Sequence, residues 1–205
     1  MKSKSRLVSG IALALVALTS PAFAKDRGYE AQVSAGGGVT GFITDASDQT
    51  KVGGAWDVRV RLRTPLPIGA EIGYVGTANG VSDRMAVNAP NGIILGDGVE
   101  VNAVLSLLPH DPLVDPYVFV GGGYTRFSLV NETTFNSSVI RNKDNAFVLP
   151  SGAGLALRLT NNLLADARFT YRAVFDDGMI FLHGPGADAI NMSQWGATAR
   201  VAYAF

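Results

Sequence analysis

The chain has 205 residues, with 17 lysines and arginines against 17 aspartates and glutamates and no cysteine. That length suits one domain with a full core. The balanced charge gives no electrostatic case for nucleic acid, and the missing cysteine excludes disulfides, thiol catalysis, cysteine-based metal sites and a lipoprotein anchor.

Met1 to Ala24 has the layout of a cleaved signal peptide. Lys2, Lys4 and Arg6 supply a positive start, Leu7 to Leu18 an apolar stretch, and Ala22-Phe23-Ala24 a small-residue cleavage pattern. Cleavage between Ala24 and Lys25 removes three cations and no anion, so the mature chain carries 14 against 17, a formal −3. The expected organisation is a signal over residues 1–24 and one domain over 25–205. No later apolar run reaches helical span length. A mature chain that enters a membrane must therefore do so as a closed barrel.

Eight segments then follow with a period of two, the signature of strands whose side chains point to alternate faces. The first, about Tyr29 to Phe42, is rich in glycine and weak in register. In the second, Ala55 to Arg63, Trp56, Val58, Val60 and Leu62 alternate with Asp57, Arg59, Arg61 and Arg63. Thr64-Pro65-Leu66-Pro67 ends it in a tight turn, since proline cannot continue a ladder. The third, Gly69 to Ala78, opposes Ala70, Ile72 and Tyr74 to Glu71. Asn79 to Gly98 reads as a long polar loop. The fourth, Val99 to Leu108, opposes Val99, Val101, Ala103, Leu105 and Leu107 to Glu100, Asn102 and Ser106.

The fifth, Pro116 to Leu129, contains Gly121-Gly122-Gly123, which blur its register. Placing Tyr117, Phe119, Thr125 and Phe127 outward sends Arg126 inward, and that is the expected arrangement. The sixth, Ala146 to Leu159, ends at the Asn161-Asn162 turn. The seventh, Leu163 to Phe175, opposes Ala165, Ala167, Phe169 and Tyr171 to Asp166, Arg168, Thr170 and Arg172. The eighth, Ser193 to Phe205, opposes Trp195, Ala197, Ala199, Val201, Tyr203 and Phe205 to Arg200 and small residues. Connections alternate long and short, with four long and three short. The predicted fold is an all-β, eight-stranded, antiparallel up-and-down transmembrane barrel, with the short turns and both ends on the periplasmic side.

A narrow barrel of this size has an interior that side chains fill. The expected lumen network is Glu30, Asp57, Arg59, Arg61, Arg63, Glu71, Glu100, Arg126, Arg158, Asp166, Arg168, Arg172 and Arg200. Buried charge is tolerated only when paired and hydrogen-bonded, so these groups read as a salt-bridge plug. A narrow path for ions is the alternative, its arginine excess favouring anions. A soluble lipocalin-like barrel is the second alternative, and it would put an apolar cavity inside and charge outside.

Gly36-Gly37-Gly38-Val39-Thr40-Gly41 contains a G-x-G-x-x-G, but no helical pattern follows, so no nucleotide cofactor is implied. The two histidines, His110 in a short turn and His183 in the last long loop near Asp188 and Ser193, match no catalytic spacing. No cofactor, metal or catalytic residue is therefore expected. The run Met179-Ile180-Phe181-Leu182 is an apolar stretch within a loop.

The signal sequence, the alternating strands, Asp115-Pro116-Tyr117-Val118 ahead of Gly121-Gly122-Gly123, and the terminal Tyr203-Ala204-Phe205 together resemble the small outer-membrane barrels of the outer-membrane protein A and X type. The resemblance covers the whole mature chain. It implies a monomeric, non-enzymatic, porin-like barrel in the outer membrane of a Gram-negative cell, with a structural or surface-interaction role. It also implies contact with outer-membrane lipids and lipopolysaccharide, and assembly by the barrel-assembly machinery, which reads Tyr203 and Phe205 in the last strand.

Overall fold

The computed structural model describes residues 29–43, 47, 50–81, 92–108, 113–130, 143–175 and 192–205. Eight strands follow in chain order: β1 Glu30–Phe42, β2 Gly53–Arg63, β3 Ile68–Gly80, β4 Ile93–Ser106, β5 Val114–Val130, β6 Lys143–Arg158, β7 Leu163–Phe175 and β8 Gln194–Ala204. Each pairs antiparallel with its chain neighbour. β1 also pairs with β8, from Gln32 opposite Ala204 to Phe42 opposite Gln194, which closes the barrel and leaves no edge. The signal region, His110, His183 and the apolar run at 179–182 lie outside the described residues.

Short turns form where the sequence supplies turn chemistry. Thr64 Oγ1 donates to the Ile68 carbonyl at 2.6 Å, folding the Pro65–Pro67 corner. The backbone N–H of Leu159 donates to the Leu163 carbonyl at 2.8 Å around Asn161-Asn162.

Two strands depart from the expected pattern. β4 starts at Ile93, well before Val99, so part of the expected long loop is strand. β5 has the opposite register: Tyr117, Phe119 and Phe127 are buried inside, and Val118 and Val120 are exposed outside. The glycine triplet carries no side chain to reveal parity, and Pro150 opposite it cannot donate to the ladder. The β5–β6 pairing runs to Val120 opposite Ser151 and resumes at Gly123 opposite Val148.

The outer surface is apolar over its middle. Val58, Ile72, Val101, Val120, Phe169 and Val201 all point outward and are exposed. Aromatics stand at the two margins. Trp56, Tyr124, Phe147, Tyr171 and Phe175 are exposed toward the long-loop end, and Tyr203 and Phe205 toward the short-turn end. Tyr203 and Phe205 pack edge to face with centroids 5.0 Å apart. This is an apolar band between aromatic girdles, the surface a bilayer selects.

Candidate functional site

The candidate site is the lumen, which the inward faces of all eight strands fill. The alternation of β2 and β7 aims their charged residues at one another across the barrel. Glu71 on β3 is the hub. Its Oε1 accepts from Arg59 Nη1 at 3.1 Å, Asn102 Nδ2 at 3.1 Å and Arg168 Nη1 at 2.6 Å. Its Oε2 accepts from Arg61 Nε at 3.1 Å and Nη2 at 2.9 Å. Glu100 on β4 accepts from Arg59 Nη2 at 2.9 Å and from Arg172 Nε at 2.6 Å. Asp57 accepts from Arg59 Nε at 2.9 Å.

A second group lies beside the hub. Asp166 accepts from Arg200 Nε at 2.9 Å and also pairs with Arg200 Nη2. The Tyr117 hydroxyl donates to Asp166 Oδ2 at 2.8 Å and accepts from Arg200 Nη2 at 2.8 Å. The Tyr117 ring lies where a Cβ on Gly154 would stand, so glycine there makes room for it. Two arginines also sit over rings. Arg61 lies 4.2 Å from the Tyr117 centroid and Arg168 3.4 Å from that of Phe119. Charge-assisted bonds of this density are what buried guanidiniums and carboxylates require.

The arrangement obstructs the lumen at two levels. β3 and β7 stand four places apart in a ring of eight, so the Arg168–Glu71 pair spans the full bore. Toward the long-loop end lies a buried apolar cluster: Phe42, Ile94, Phe127, Val148, Val174 and Met192, with Ala146. The short-turn end is lined by a looser set of pairs. Arg63 Nη2 lies 2.9 Å from Asp115 Oδ2, and Arg158 Nη2 lies 2.9 Å from Glu30 Oε2.

The structure places twelve of the thirteen residues read as a lumen network inside the barrel: Glu30, Asp57, Arg59, Arg61, Arg63, Glu71, Glu100, Arg158, Asp166, Arg168, Arg172 and Arg200. Arg126 is the correction. It is exposed on the outer face, opposite Asp97 of β4, which is also exposed. Asp97 in turn accepts from the Tyr74 hydroxyl at 2.6 Å. Arg126 lies two residues beyond Tyr124 toward the long-loop end. There the wall is leaving the apolar band, so an outward charge no longer meets hydrocarbon. Sequence reasoning missed Asp115, Tyr117 and Phe119 as lumen residues. The signal was available in Val118 and Val120, whose outward parity forces those three inward.

Residues 10–205 match the family described as outer membrane protein beta-barrel domain. The chain belongs to this family. Among solved structures, it is similar to neisserial surface protein A, with a TM-score of 0.56 and 15% identity over 87% of this chain and 97% of that one. The attachment invasion locus protein Ail of Yersinia pestis gives 0.54 and 16%, over 86% and 98%. OprG of Pseudomonas aeruginosa gives 0.56 and 11%, over 87% and 97%. Comparison with curated proteins finds no match. The protein is thus an integral β-barrel of the outer membrane, its apolar wall in lipid. In outer-membrane barrels generally the short turns lie on the periplasmic side. The lipocalin-like alternative fails on the same geometry, because charge is inside and the apolar face outside.

Proposed function

We propose that this barrel is a closed, non-catalytic anchor that displays its long loops at the cell surface, and that it does not conduct. The obstruction of the bore carries this reading: a salt bridge across the full diameter beneath an apolar cluster. An ion would have to break buried charge pairs and then pass the apolar cluster. The fold is shared with an attachment invasion locus protein and a surface protein, which supports a surface-interaction role over transport. Planar-bilayer recording tests this. The protein should insert without conductance steps. Steady steps that vanish when Arg59 or Glu71 is changed would establish the narrow channel instead.

The partners follow from the two ends of the wall. Arg126, exposed beyond the apolar band, offers lipopolysaccharide a cation beside the Tyr74–Asp97 pair. Tyr203 and Phe205, outward at the end of the last strand, serve as the signal read by the barrel-assembly machinery. The barrel acts as a monomer. Export uses residues 1–24, with cleavage between Ala24 and Lys25. Deleting Phe205 should therefore leave export and the Lys25 N-terminus intact, as read by intact mass, while the heat-modifiable form in the outer membrane falls sharply. Normal outer-membrane levels of the deletion would remove the assembly role from Phe205.

A further inference from the structure

The lumen is hollow at its short-turn, periplasmic end. A cavity of about 460 Å³ opens there between the short turns, a size that suits a small organic ligand. Arg61 lies between it and the network, and beside Arg61, Asp166 and Arg200 a void of about 10 Å³ follows, room for a single water.

The walls of this vestibule have a definite chemistry. Three guanidiniums line it, those of Arg61, Arg63 and Arg158, against two carboxylates, Glu30 and Asp115. Glu30 is shared, with Arg158 Nη2 at 2.9 Å and Arg63 Nε at 4.0 Å. Arg63 turns its other nitrogen to Asp115. The rim pairs are partly exposed, with side-chain exposures of 19% for Arg63 and 27% for Arg158 and Glu30, so they are weakly held and can exchange partners. Arg61 is fixed behind them by Glu71 and by the Tyr117 ring. Between the charges lie apolar patches, Val104 and Leu164 inside and Leu113 at the rim. Each of these arginines has a carboxylate partner, but the ion-paired lumen residues described hold seven guanidiniums against six carboxylates, an excess of one cation with an apolar bed beside it.

We propose that this vestibule is a periplasm-facing binding site for a small amphiphilic monoanion, a carboxylate on a short apolar body. The ligand's carboxylate offsets that excess of one cation, sharing the exchangeable guanidiniums of Arg63 and Arg158 with Asp115 and Glu30. Its apolar body rests on Val104 and Leu164. The site faces away from the cell surface and is independent of the loop-display role proposed above.

Titration of the mature barrel in zwitterionic nanodiscs, followed by amide NMR, tests the assignment with two probes of one shape and opposite charge, benzoate and benzylamine. Benzoate should shift the amides of Gly69, Ser106 and Asp115 saturably, and benzylamine should not. Leu113→Asp adds a negative charge at an exposed rim position without touching the network, and should weaken benzoate about threefold to fivefold. Arg158→Gln should weaken it about tenfold through loss of a charge-assisted pair. Equal shifts from the two probes, or no saturable shift by benzoate in the unmodified barrel, would overturn the proposal. That wild-type comparison decides the matter even if a variant fails to fold.

Discussion

The Glu71→Ala protein is expected to lose most of its stability, and in detergent it should refold to the compact heat-modifiable form poorly or not at all. Glu71 accepts five hydrogen bonds and faces three guanidiniums, those of Arg59, Arg61 and Arg168. Truncation leaves these cations in a low-dielectric lumen with their hub gone. Breaking a buried pair typically costs about 3–5 kcal/mol. Against a total stability on the order of 5–15 kcal/mol for a folded domain, that loss is decisive. A urea titration followed by the emission of Trp56 and Trp195 reads it directly. Arg168→Met in the Glu71→Ala background should recover part of the loss, because it removes the cation that spans the bore to Glu71. A midpoint for Glu71→Ala within experimental error of the parent would mean that water, not Glu71, satisfies these arginines. Arg126→Gln is the internal control. It lies on the outer face and should shift stability by less than about 0.5 kcal/mol.

The contrast between Arg168 and Arg126 shows what could be read from the chain and what could not. β2 and β7 declare themselves, because charged and apolar residues alternate over their length and only an amphipathic strand accommodates that. Their polarity, charge inward, follows from one physical fact: hydrocarbon rejects charge. The same rule misplaced Arg126, because it holds only within the apolar band. Arg126 and its register partner Asp97 stand beyond Tyr124 and Val99, toward the long loops. There an outward charge costs little. The start of β4 was hidden for a related reason, since Gly96, Asp97 and Gly98 look like loop to a pattern search. Their ladder partners Phe127, Arg126 and Thr125 hold them in the wall. The partners within the lumen were not legible at all. Arg168 and Glu71 are 97 residues apart, and their meeting depends on how closure of β1 on β8 sets the two strands opposite each other.

That closure also gives the glycine run in β1 its meaning, and it separates two adjacent residues. Gly38 has inward parity at the β1–β8 seam. A Cβ there would meet the backbone of β8, at the Ala197 carbonyl oxygen and 2.7 Å from the Thr198 Cα. Gly37, its neighbour, faces lipid, and its nearest obstacle is the Ala55 carbonyl oxygen at 3.2 Å. Backbone cannot rotate away as a side chain can. To admit a larger side chain in place of Gly38, β1 would have to move off β8, and no turn joins these two strands to hold the seam. Gly38→Val is therefore expected to cost about 3 kcal/mol or more, at the upper end of overpacking. Most of the protein should then remain unclosed and run at its unfolded mobility without heating. Gly37→Val places its methyls in the bilayer and should fold within about 1 kcal/mol of the parent. The two substitutions add the same atoms one residue apart. Similar folding yields for both would show that the seam can shift, and that the glycines serve something other than close approach of β1 to β8.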